Sequence, residues 1–131
     1  MKRTIVNPWT WQEPLGFVHG NLVEQPQALL FLAGQTASDA EGHTLYPDDL
    51  ASQIPVALEN IETILHQSGM NFSHVVRLNV YVTDMSAMME SHDIMVAELH
   101  RRGCRHTGTL LGVVALASPG AMIEIEVTAA A

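Results

Sequence analysis

Residues 75–83 alternate without a break. Val76, Leu78, Val80 and Val82 fall on one side of an extended chain, and Arg77, Asn79, Tyr81 and Thr83 fall on the other. Successive side chains of a strand point to opposite faces, so this segment reads as a strand with one apolar face on a core and one polar face left open. A second alternating segment follows at 122–128, with Ile123, Ile125 and Val127 opposed to Glu124, Glu126 and Thr128. Another layer must cover the apolar face that such strands share.

The sequence supplies that layer as two helices. In residues 50–68, Ile54, Ala57, Leu58, Ile61, Ile64 and Leu65 form one stripe at helical spacing, and Gly69 is placed as a C-cap. Pro55 is compatible with this helix in its first turn, which Ser52 as N-cap would allow. In residues 87–102 the stripe is Met88, His92, Met95, Val96 and Leu99. Asp84 or Ser86 caps its start; Arg101 and Arg102 suit its negative end, and Gly103 follows.

Shorter strands are expected at 3–6, 17–23 and 28–33, and an exposed loop at 36–49. Residues 109–116 are apolar on both faces, as in a fully buried strand. The order β-β-β-α-β-α-β-β implies an α+β fold, a mixed six-stranded sheet with two helices on one face. At 131 residues, the expectation is one domain spanning 1–131. With 47% hydrophobic and 15% charged residues, part of its surface is expected to be buried against copies of itself.

Charge argues against several functions. The net charge is −8 and the only basic pairs are Lys2-Arg3 and Arg101-Arg102, which disfavours a nucleic-acid partner. Cys104 is the single cysteine, so a disulfide within the chain and a Cys-rich metal site are excluded. The seven histidines lack HExxH spacing; neither a metal nor a cofactor is expected. No segment resembles a signal peptide or is apolar for the length of a membrane span, so the expected location is the cytoplasm, with no membrane partner.

Four stretches, in order, resemble the Rid (YjgF, L-PSP) family. Leu32-Ala33-Gly34-Gln35 is similar to its "SGQ" after a buried strand, and Gln53 with Ala57-Leu58-Glu59-Asn60-Ile61 to its "Q…AL.N" helix. Residues 75–85 resemble "vvk.tvyl.dm", and residues 121–126 resemble "a.vEIE". The resemblance implies a chorismate-mutase-like fold, a homotrimer, and clefts at the subunit interfaces. In active members these clefts hydrolyse enamines and imines to a keto acid and ammonia. A small-molecule metabolite is the implied partner.

The resemblance assigns residues to that cleft. Glu124 matches the first Glu of "EIE", which positions the attacking water. Gly34 matches the Gly of "SG", with Ala33 in place of the Ser. Gly16-Phe17 stands at "GPY", so Phe17 keeps the ring and loses the hydroxyl; His92 stands where an asparagine is frequent. Thr109 occupies the position of the arginine that grips the substrate carboxylate, and Leu111 follows it along the cleft. The nearest arginine, Arg105, lies four residues upstream, roughly 13 Å along a strand. Loss of that arginine puts standard imine deaminase activity in doubt. The alternatives are a non-catalytic trimer that binds a metabolite or a protein, and a ribonuclease or translation inhibitor.

Several residues read two ways. Glu124 is a cleft carboxylate or one side of a solvated strand; the resemblance favours the cleft. His92 is a cleft residue or a hydrogen-bonded core histidine. Trp9 and Trp11 pin the N-terminal arm or line a cleft. Cys104, beside Arg105 and His106, is either an activated thiol or incidental, and no partner spacing supports a nucleophile.

Overall fold

The structure, a computed structural model, describes residues 1–131. The fold is α+β, with two helices and mixed sheets. The strands are β1 (Lys2–Val6), β2 (Gly20–Glu24), β3 (Leu29–Phe31), β4 (Val75–Val82), β5 (Leu110–Gly112) and β6 (Ile123–Ala130). The helices are α1 (Leu50–Gln67) and α2 (Met85–Arg101).

The central sheet runs β3-β6-β4-β5. Strands β3 and β4 each pair with β6 antiparallel, and β5 pairs with β4 parallel. A parallel pair needs a long crossover, and α2 supplies it. One sheet face carries Leu78, Val80, Val82, Ile123, Ile125 and Val127, all buried. Against it lie Ile54, Ala57, Leu58, Ile61 and Leu65 of α1 and Met88, Met95 and Leu99 of α2. At about 25 cal/mol per Å², each such large apolar side chain contributes about 1.5–3 kcal/mol.

The six strands do not join in one ladder. β1 and β2 form a separate ribbon, and no β2–β3 hairpin forms across the Gln25-Pro26-Gln27 turn, where Gln25 has φ 52. Side chains attach the ribbon instead. The Arg3 guanidinium donates to the carbonyls of Ser73 (2.7 Å), Val75 (3.0 Å) and Arg105, and Asn21 Nδ2 donates to those of Val76 (2.9 Å) and Arg105 (3.0 Å). One backbone bond, from Val18 N to His106 O at 2.9 Å, completes the attachment.

Other local details differ from the sequence reading. Asp49, not Ser52, caps α1, and Pro55 falls inside the helix. Pro55 is the sixth residue of the helix, past the N–H groups that lack an intrahelical partner, so the helix forgoes one bond there, to the Ala51 carbonyl. A register shift between Val75 and Arg77 turns Val75 into the core, leaving Val76 half-buried. Residues 109–116 do not form a fully buried strand. β5 spans three residues at the sheet edge, where Leu111 stays 48% exposed and Val114 is fully exposed. Its apolar outer side finds no cover within the chain, because no strand lies beyond it.

Two polar residues of the α1 motif tie loops to the core. Gln53, fully buried, donates from Nε2 to the carbonyls of Tyr46 (2.9 Å) and Gly120 (2.8 Å), and its Oε1 accepts from Met122 N (2.8 Å). Asn60 Nδ2 donates to the carbonyls of Thr36 (3.1 Å) and Ser38 (3.0 Å).

Candidate functional site

Pairing across the central sheet sets rows of side chains on its open face. Glu124 pairs with Tyr81, which pairs with Leu111. Beyond Glu124, Gln35 and Ile125 exchange two backbone hydrogen bonds, of 2.8 and 2.9 Å. That bridge brings Gly34 under the carboxylate: a Cβ at residue 34 would lie 2.6 Å from Glu124 Oε2. Ala33, Gly34, Glu124 and Leu111 therefore share one strip of this face, with Tyr81 between them.

The next row is occupied by a hydrogen-bonded network. Glu126 Oε1 accepts from Asn79 Nδ2 at 3.1 Å and from the Tyr81 hydroxyl. Asn79 Oδ1 in turn accepts from the backbone N–H of Thr109 at 3.1 Å. The Tyr81 and Asn79 hydrogen bonds hold Glu126 below the usual carboxylate range, and the same contact with Glu126 raises the Tyr81 phenol. Glu124 accepts no hydrogen bond within the chain. Of two carboxylates on one face, Glu126 is committed and Glu124 is free. A hollow of about 250 Å³ beside this row is lined by Phe31, Arg77, Asn79, Glu126 and Thr128, and Phe31 is 72% exposed at its edge.

Phe17, His92 and Thr109 meet elsewhere, around a cavity of about 570 Å³ between α2 and the edge of the sheet. Met88, Met95, Val96 and Leu99 of α2 form one wall; Val80, His106 and Leu110 form the other, and Leu15-Gly16-Phe17 lies across it. Gly16 has φ +82, and its turn rests on Val96, whose Cγ1 would be 3.3 Å from a Cβ there. Gly108 is required for the approach to β4, because a Cβ at that residue would meet the Leu78 carbonyl at 1.8 Å. Thr109 joins the two regions: it lines the cavity while its amide binds Asn79.

The sequence-assigned residues thus fall into two groups within one chain, Ala33, Gly34, Glu124 and Leu111 on the open face and Phe17, His92 and Thr109 at the cavity. His92 is half-buried at the cavity wall. Tyr81 and Asn79 lie on the polar face that the alternation of 75–83 predicts, and the register of β4 with β6 brings both to Glu126.

Trp9 and Trp11 are exposed and stand edge-on to the His19 ring at 5.2 and 5.0 Å, so they pack on the arm's own histidine. Cys104 is buried, and burial pushes its thiol up to about 12, which removes it as a nucleophile at neutral pH. Its Sγ lies 3.8 Å from Nδ1 of His106, whose imidazole burial, helped by the nearby Arg3, lowers to about 4. No three His, Cys, Asp or Glu side chains converge as a metal-binding group.

A family profile described as endoribonuclease L-PSP matches residues 16–131. The chain belongs to this family, which is the Rid or YjgF family. Over its full length it is 31% identical to YyfB of Yersinia pestis, a Rid-family protein of unknown function, with 100% of both chains covered and a TM-score of 0.87. TdcF of E. coli, solved with bound serine, is 20% identical over 82% of this chain and 84% of its own, with a TM-score of 0.70, and shows the same fold. Protein DfrA of Myxococcus xanthus is 30% identical over 66 residues, half of this chain and half of DfrA. The mitochondrial protein mmf2 of Schizosaccharomyces pombe is 26% identical over 102 residues, 78% of this chain and 79% of mmf2.

Proposed function

We propose that this Rid-family chain is a single-domain protein that assembles as a trimer and binds a small metabolite in a cleft between subunits. In that cleft the open-face group, Ala33, Gly34, Glu124 and Leu111, works beside the cavity group, Phe17, His92 and Thr109. The observation that carries this reading is the uncommitted Glu124 carboxylate over Gly34, next to a Glu126 already held by Tyr81 and Asn79. Exposed Phe31 and Leu111 on the same face support its burial by further copies. The serine bound in TdcF supports a small molecule as the occupant.

The chemistry this site suits is hydrolysis of an imine, an enamine or a related reactive carbonyl compound. Glu124 takes a proton from water as the oxygen adds to the C=N carbon and passes it to the nitrogen, then takes the hydroxyl proton of the resulting carbinolamine and passes it to the nitrogen as the C–N bond breaks. The carbon becomes a carbonyl and ammonia leaves. Thr109 supplies no cation, so a substrate carboxylate has no bidentate partner there. The substrate is one without a carboxylate at that point, and turnover of standard amino-acid-derived imines is weak or absent. Ammonia release from freshly generated 2-aminoacrylate or 2-iminobutanoate tests this directly. Turnover comparable to arginine-bearing relatives would overturn the role given to Thr109.

The same threonine favours a second reading, a trimer that binds without catalysis. It predicts that Glu124→Ala leaves cellular function intact. The −8 net charge opposes an RNA substrate, and ribonuclease assays against a heat-killed control should show no cleavage. No helix is long and apolar enough to cross a membrane. The cytoplasm is the location we propose; the mitochondrial relative mmf2 makes fractionation the test of it.

A further inference from the structure

The cavity between α2 and the sheet has a charge pattern that restricts its occupant. The chain contains six Lys and Arg residues, and none lines the cavity. Its single acidic lining residue is Asp93, which is exposed. The buried imidazole of His106 is neutral at pH 7. The remaining wall is largely apolar. A carboxylate entering it would lose hydration with no Lys or Arg to offset the loss, and would approach Asp93.

The cavity has the dimensions and materials of a small-molecule site. Its volume of about 570 Å³ lies within the roughly 300–1,000 Å³ typical of ligand pockets. Phe17 provides an aromatic wall, itself braced edge-on by Trp11 at 5.8 Å and His19 at 5.6 Å. Met88, Met89 and Met95 adapt readily to the shape of an occupant. His92 and His106 offer hydrogen bonding at separate points of the lining.

We propose that this cavity binds an uncharged, mainly apolar molecule, aromatic or branched, that carries a single hydrogen-bonding group, and that it rejects carboxylates. This rests on the reading that Phe17, His92 and Thr109 belong to the ligand cleft, and it names the class of compound that the cleft takes.

The test uses the full chain labelled with carbon-13 at its methionine methyl groups, of which three among seven line the cavity. Indole is titrated against indole-3-carboxylate by NMR. Indole should give saturable shifts confined to Met88, Met89 and Met95, and the carboxylate should bind roughly tenfold more weakly or not at all. Met89→Trp, at the exposed rim, should weaken indole binding by roughly tenfold while circular dichroism stays unchanged. If ammonia release fails everywhere while indole still binds, only the catalytic reading falls. Equal or tighter binding of the carboxylate, no shift up to the solubility limit of indole, or shifts spread over the other methionines would each overturn the inference.

Discussion

The carboxylate of Glu124 rests on the backbone of Gly34, so close that a Cβ on residue 34 would stand 2.6 Å from Oε2. The strand bearing Glu124 and the segment bearing Gly34 are locked together by the paired backbone bonds between Gln35 and Ile125. Position 34 therefore controls where the carboxylate points. Gly34→Ala should displace Glu124 while costing about 1 kcal/mol, because the clashing atoms, Oε2, Cδ and Cγ, all belong to one side chain that can rotate away. Thermal melting should show a nearly unchanged protein, and Glu124-dependent turnover or ligand binding should fall roughly tenfold or more. Unchanged function in that variant would remove Glu124 from the site.

Arg3 secures the N-terminal ribbon through three backbone carbonyls and the Asn21 side chain, whose Oδ1 accepts from Nε at 2.9 Å. Charged hydrogen bonds of this kind contribute about 1.5–3 kcal/mol net, and removal leaves the carbonyls without their donor. Arg3→Ala should cost about 2–3 kcal/mol in urea unfolding, with Arg3→Lys intermediate because it keeps the charge and loses the planar fork. Equal stability of Arg3→Ala and the parent chain would mean that the ribbon is held by other contacts.

His106 imposes a pH dependence. Burial first, and Arg3 second, lower its folded value to about 4 from an ordinary 6.5. The unfolded chain binds the extra proton between those values, so the stability from neutral His106 is complete above about 6.5 and is lost as pH falls toward about 4. The loss reaches about 3 kcal/mol at roughly 1.4 kcal/mol per pH unit. The lowered Glu98 and Glu126 share this sign but act lower, at and below the ordinary carboxylate range. Urea midpoints measured from pH 7 to pH 4.5 should fall more steeply for the parent chain than for His106→Gln. Parallel curves would contradict the assignment.

Much of this fold was legible because its longest elements carry strong periodicities. The alternation of β4 and β6 and the stripes of α1 and α2 gave the faces that the structure packs together. The short elements escaped, since their limits depend on tertiary partners. Residues 109–116 look like a buried strand from composition alone, yet β5 has a neighbour on one side only. The split sheet depends on Arg3 and Asn21 reaching carbonyls some 55 to 102 residues away in sequence, which no local pattern encodes. At the candidate site, the motifs point to Glu124 and Gly34, which the structure places in contact. The role of Tyr81 and Asn79 was not legible, because it comes from cross-strand register with Glu126.

Gln53 shows how a motif residue can be structural. Its amide satisfies two carbonyls and one N–H in a fully buried position. Gln53→Leu should cost about 2–4 kcal/mol, since all three backbone groups lose their partner. Chemical denaturation measures this, and a change within about 0.5 kcal/mol would mean that water replaces the amide.

The central claim is that the open face bearing Glu124 is covered by further copies of the chain. Sedimentation equilibrium at micromolar concentration tests it most directly. The account predicts a species of three times the 14.3 kDa chain mass. A 14.3 kDa monomer would contradict it, leaving Glu124 on a solvent-exposed sheet with no cleft to act in.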